Sequence, residues 1–153
     1  LYAVGFSGNA LYTVDPTNGT YVNKGSMPGV VDASGLAFDD AGVLYMIDTG
    51  TEKLHTIDTT NGAVLTSVSL SVSLGEMVGM DFDPVTKQLF VADGGSGSTD
   101  TLYTLDTSSG TLTSIGTTRA GGMSGLEFVV PEPGTLVMAG VGLAGIMFRR
   151  RRR

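Results

Sequence analysis

Three short segments of this chain superimpose on one another: Leu11-Tyr-Thr-Val-Asp15, Leu54-His-Thr-Ile-Asp58 and Leu102-Tyr-Thr-Leu-Asp106. Each is followed by a turn ending in glycine, at Gly19, Gly62 and Gly110, and then by a Thr/Val-rich stretch. Upstream lies a second shared piece, Leu1-Tyr-Ala-Val, Leu44-Tyr-Met-Ile-Asp48 and Leu89-Phe-Val-Ala-Asp93. A third precedes it: Ser34-Gly-Leu-Ala-Phe38, Val78-Gly-Met-Asp-Phe82 and Ser124-Gly-Leu-Glu-Phe128. Corresponding positions are 43 to 48 residues apart. A unit of four short strands recurring with that period is the signature of a β-propeller blade.

Within each strand, alternate side chains fall on opposite faces. In Leu102-Tyr-Thr-Leu-Asp106, Leu102, Thr104 and Asp106 share one face and Tyr103 and Leu105 the other. Both faces of a blade pack on neighbours, so apolar residues are expected on both. The Asp-Thr-x-x-Gly turns suit tight connections, since Asp bonds its own backbone and Gly accepts positive φ. No stretch before the tail has helical periodicity. The expectation is an all-β chain of propeller-like, four-stranded blades with about three blade-equivalents. The repeats run over about 1–29, 30–74 and 75–120, with a closing strand at 123–129 and a short hydrophobic helix at the C-terminus. Residues 1–129 form the repeat domain and 130–153 a separate tail.

Propellers typically need four to eight blades. The chain begins at Leu1, inside a repeat and without an initiator Met or signal peptide, so a fragment of a larger propeller is expected. The alternative is assembly of several copies.

The tail, Pro131 to Arg153, reads PEPGTLVMAGVGLAGIMFRRRRR. Pro131 and Pro133 fix φ and lack amide donors, so they end the preceding strand. The following run to Phe148 is uncharged and, as a helix from Pro131, spans about 27 Å at about 1.5 Å per residue, just under the roughly 30 Å of a bilayer core. Arg149, Arg150, Arg151, Arg152 and Arg153 should stay on the cytoplasmic side and leave everything N-terminal of Pro131 outside.

With its V-P-E-P-G-T opening, short apolar helix and terminal Arg block, the tail resembles the PEP-CTERM sorting signal of Gram-negative bacteria. The resemblance implies an exported protein whose partner is an exosortase, a membrane-embedded transpeptidase-like enzyme that recognises Pro131, Glu132, Pro133 and Gly134 and cleaves nearby. It also implies transient residence in the inner membrane, a final place at the cell surface or in the extracellular matrix, and association with exopolysaccharide or biofilm systems. A permanent membrane anchor would end in arginines too, but would not call for Pro-Glu-Pro.

Charge narrows the partners. Before the tail, Lys24, Lys53, Lys87 and Arg119 stand against 14 carboxylates, so the body carries about −10 while the whole chain carries −6. That balance argues against nucleic acid and against anionic membrane surfaces as partners. With no cysteine, disulfides and thiolate chemistry are excluded, and stability must come from packing and strand pairing.

Candidate site residues are few. Asp48 and Asp93 close the second strand of two repeats and lead into loops that conventionally form a propeller's ligand face; capping of a strand end is the competing account. The loop from Asp93 to Asp100, rich in Gly and Ser, has oxygens that could hold Ca²⁺, although its spacing matches no established calcium loop and a flexible linker explains it as well. His55, the single histidine, occupies the position of Tyr12 and Tyr103, so packing is expected of it. Asp81 and Glu127 replace Ala37 on the innermost strand and should line the channel, unless they lie close enough to share a proton for acid–base work. No Cys/His cluster, phosphate loop or nucleophile elbow occurs. The expected function is non-enzymatic binding or structure, with a Ca²⁺-dependent lactonase- or lyase-like propeller enzyme, or a permanently anchored propeller, as alternatives.

Overall fold

Strands form where the repeat alternates, and turns form at its Asp and Gly positions. The computed structural model describes residues 1–5, 9–95, 100–118 and 122–129. Within them run β1 (Tyr2–Val4), β2 (Ala10–Val14), β3 (Tyr21–Ser26), β4 (Ala33–Phe38), β5 (Leu44–Asp48) and β6 (Lys53–Ile57). They continue with β7 (Val64–Ser69), β8 (Met77–Phe82), β9 (Leu89–Gly94), β10 (Thr101–Leu105) and β11 (Leu112–Thr117). The strands make three antiparallel meanders: β1-β2-β3, β4-β5-β6-β7 and β8-β9-β10-β11. This is the expected all-β, propeller-like architecture. The expected C-terminal helix lies outside the described residues; among those described, no helix is long and apolar enough to cross a membrane.

The turns behave as their residues require. Gly19, Gly62 and Gly110 adopt φ of 73°, 76° and 74°, and each donates its amide to the carbonyl of the Asp that opens the turn, Asp15, Asp58 or Asp106. Those aspartates also accept from the backbone and hydroxyl of Thr17, Thr60 and Ser108. The same side-chain bonds to Thr17, Thr60 and Ser108, each the largest influence, hold the three carboxyls below the ordinary value.

The core consists of two seams between sheets. Leu44 and Met46 of β5 pack with Leu11, Met27 and Ile57 towards the first sheet. Ile47, one residue further along, joins Leu54, Val78, Met80, Leu89 and Val91 towards the third. The period of two thus buries both faces of the middle sheet. Burying a Leu or Ile side chain stabilises by about 1.5–3 kcal/mol, so these seams are the main source of stability in a chain without disulfides.

Adjacent innermost strands meet without a backbone ladder. The Ser34 hydroxyl donates to the Glu76 carbonyl and accepts from the Val78 amide, linking β4 to β8. Glycine in the Ser/Val-Gly-x-x-Phe motif permits the approach. A Cβ on Gly35 would stand 2.7 Å from the Met80 side chain, and one on Gly79 would stand 2.7 Å from the Gly125 carbonyl carbon. The phenylalanine closing the same motif packs edge-on or tilted against the second-strand aromatic of the preceding sheet. The pairs are Tyr2–Phe38, Tyr45–Phe82 and Phe90–Phe128, with centroids 5.2, 5.3 and 5.2 Å apart.

Residues 122–129, where a closing strand is expected over 123–129, join none of the three described sheets, and β1 lies at the edge of its own. An innermost strand pairs with the second strand of its own blade, and none stands beside this segment among the described residues. It lies instead along β8, as β8 lies along β4, held by the Phe90–Phe128 ring contact and by the Phe128 amide donating to Asp81 Oδ2 at 2.7 Å.

Candidate functional site

Asp48 ends β5 at the register position opposite Ala33, which places its carboxylate against the start of β4. It is fully buried. Oδ1 accepts from the amides of Asp32 (2.9 Å), Gly50 (3.0 Å) and Thr51 (3.3 Å); Oδ2 accepts from the Val31 amide (3.0 Å) and the Thr51 hydroxyl (2.6 Å). Burial alone would raise its pKa, but the bonds from Thr51, Asp32 and Val31 together outweigh it and hold the carboxyl below the ordinary range. Both oxygens are committed to the protein's own backbone. This arrangement is the geometry of strand-end capping.

Asp93 repeats the device in the third sheet, with Oδ1 accepting from the Gly75 amide at 2.7 Å. Gly75 corresponds to Val31, one repeat earlier. Asp100 is buried as well, and its Oδ2 accepts from the Met123 amide at 2.7 Å. The loop considered for Ca²⁺ between Asp93 and Asp100 includes residues 96–99, outside the described residues. Among the described residues no group of three or more His, Cys, Asp or Glu side chains could hold a metal ion.

A device that sequence reasoning missed joins Asn9, Glu52 and Asp100. Each stands two residues before the repeated leucine, at Leu11, Leu54 and Leu102. Each offers its carbonyl to the chain leaving the outermost strand, accepting from Met27, Leu70 and Thr118. Each side chain then reaches the segment crossing to the next sheet: Asn9 to the Val30 and Val31 carbonyls, Glu52 to the Ser73 hydroxyl, Asp100 to the Met123 amide. The signal was a polar residue at a fixed distance before the leucine, disguised because three different residue types fill it.

His55 packs where the repeat expects an aromatic ring. It is buried, Nδ1 meets the Ser67 hydroxyl at 2.8 Å, and Nε2 lies 3.8 Å from Asp48 Oδ2. Desolvation lowers its pKa; the nearby Asp48 charge opposes this without reversing it. Asp81 accepts from the amides of Phe82 and Phe128 and so is tied to the neighbouring segment, while Glu127 is exposed.

At the other end of the strands the β4–β5 and β8–β9 turns, with Thr107, border an open-mouthed cavity of about 330 Å³. Phe38, Tyr45 and Phe82 supply ring surface, and Asp39, Asp40, Asp83 and Lys87 supply charge. Lys87 Nζ pairs with Asp40 Oδ2 at 3.1 Å, both side chains more than half exposed. The Tyr45 hydroxyl is held above its ordinary pKa, chiefly by desolvation and then by the Asp39 charge.

The sorting residues Pro131, Glu132, Pro133, Gly134 and the arginines from Arg149 to Arg153 lie outside the described residues. Residues 129–153 match the family model of the PEP-CTERM protein-sorting motif. The chain carries a PEP-CTERM sorting motif. Such a motif marks an exported protein held at the membrane by its sorting signal and processed by an exosortase, as the sequence resemblance implied. Among solved structures, hydrazine synthase from Kuenenia stuttgartiensis is similar with a TM-score of 0.51 and 20% identity, over 87% of this chain and 37% of that one. A Bacteroides uniformis protein provisionally described as a 6-phosphogluconolactonase is similar at a TM-score of 0.49 and 15% identity, over 85% of this chain and 40% of its own. At such identities the likeness concerns the fold alone. This PEP-CTERM chain spans about two fifths of the length of these structures. No curated protein matches it in sequence.

Proposed function

We propose that this exported PEP-CTERM chain is a non-enzymatic, surface- or matrix-associated propeller protein with a binding or structural role towards exopolysaccharide. Residues 1–129 are its propeller module, and 130–153 the signal through which exosortase reads Pro131, Glu132, Pro133 and Gly134. One observation carries the non-enzymatic part: the acids best placed for chemistry, Asp48, Asp93 and Asp100, all accept from backbone amides. At Asp48, where both oxygens are taken by amides and the Thr51 hydroxyl, little capacity is left to move a proton or bind a metal.

The test is the intact mass and C-terminal peptide of the exported protein from cells with and without an active exosortase. Loss of the helix and of Arg149 to Arg153 only when the enzyme is present is the expected result. A tail intact in both strains would refute sorting to the surface and leave a permanently anchored protein.

A further inference from the structure

We propose that the cavity between the β4–β5 and β8–β9 turns binds an amino-sugar unit of a glycan through its ammonium group and its apolar ring face. This names the ligand class of the polysaccharide-facing role and rests on that proposal.

Size, surface and charge converge. About 330 Å³ lies at the lower end of the roughly 300–1,000 Å³ of small-molecule sites, a volume suited to one sugar unit. Tyr45 and Phe82 pack as a tilted pair, centroids 5.3 Å apart, and Phe38 is 39% exposed, so aromatic surface remains open to a ligand. Aromatic faces accept the C–H side of a pyranose and attract a cation. The lining's three carboxylates against one ammonium leave two net negative charges, within a body that is itself acidic. A uronate would be repelled there, whereas an ammonium is attracted.

Lys87 supplies the cation that a ligand ammonium would replace. It closes the β8–β9 turn as Gly19, Gly62 and Gly110 close theirs, its amide donating to the Asp83 carbonyl at 2.9 Å. Yet it does so at φ 63°, the left-handed region that disfavours lysine. Its ammonium occupies Asp40 in a solvent-exposed pair, a weak bond that a ligand ammonium can replace.

Isothermal titration of the full chain in detergent with a short glucosamine oligosaccharide tests this, against the N-acetylated oligomer of equal length. The glucosamine oligomer should bind, with the acetylated form about five-fold weaker or worse. Asp40→Asn should weaken the glucosamine oligomer about two- to five-fold, and Lys87→Asn, which the left-handed turn tolerates, should strengthen it by a similar factor. Equal binding of both oligomers would overturn the amino-sugar assignment, as would no binding of either. Sedimentation of the chain with matrix polysaccharide from producing cells separates the two proposals. Matrix binding without glucosamine binding rejects only this ligand, and loss of both rejects the polysaccharide role as well.

Discussion

The Asp48 carboxylate bonds the Val31 amide at 3.0 Å, closing the end of β5 onto the segment that leads into β4. Four further donors from Asp32, Gly50 and Thr51 share the same two oxygens. Asp48→Ala would leave several part-buried amides without their acceptor, and we expect a loss of about 2–3 kcal/mol. Equilibrium urea unfolding followed by circular dichroism measures it, and a change within about 0.5 kcal/mol, the level of an ordinary surface substitution, would contradict the capping role.

The same carboxylate makes stability depend on pH. Its folded pKa lies below the unfolded value, so the stabilisation is complete above about pH 4 and disappears as the pH falls through the folded value. Asp15, Asp58 and Asp106 are shifted in the same direction by their turn hydroxyls and act in the same window. Unfolding midpoints measured from pH 6 down should therefore fall below about pH 4, and the fall should be shallower in Asp48→Asn. A profile flat to strong acid would refute this.

Glycine spacing between innermost strands gives a controlled comparison. Gly79→Ala places a Cβ 2.7 Å from backbone, whereas Gly125→Ala, in the equivalent motif, meets nothing within 4 Å. The first should cost about 1–3 kcal/mol by overpacking, and the second well under 1 kcal/mol. Equal effects in the unfolding experiment would show that close approach of the strands is not what the motif's glycine provides.

Sequence reasoning found the strands because both the two-residue alternation and the Asp-to-Gly turns are local. Leu44 and Ile47 fall on opposite seams as their spacing requires, and Gly62 takes positive φ as its turn requires. Strand-end capping by Asp48 was among its readings, but the donors were not legible, because the amides of Val31 and Asp32 reach that carboxylate from 17 and 16 residues away. The cavity escaped for the same reason. Phe38 and Lys87 come from different repeats, and each looks in isolation like a strand end or a turn residue. The fate of residues 123–129 depended on a sheet partner that no local pattern encodes.

His55 provides a direct readout of the seam between the first and second sheets. Being the chain's one histidine, its ring protons are unambiguous in an NMR titration. Desolvation beside Ser67 and Asp48 places its pKa below the ordinary value of about 6.5. The unfolded state then binds the proton more readily. This contribution to stability is complete above the unfolded value and declines as the pH falls towards the folded one. A titration midpoint at or above about 6.5 would mean that Asp48 dominates the ring's environment and that burial does not.

The last prediction concerns the tail. Arg149 to Arg153 follow an apolar run slightly shorter than a bilayer core, so retention before processing should depend heavily on them. At the centre of a membrane helix each arginine costs about 2.5–3.5 kcal/mol, and five in a row form a stop that translocation cannot readily pull through. Replacing all five by Ser or Gln leaves the PEP-CTERM turn intact but removes that stop. In cells lacking the exosortase, the variant should move from the membrane fraction into the external fraction while the parent chain stays. Unchanged membrane retention would show that the apolar run, with its small Gly and Ala residues, anchors the protein by itself.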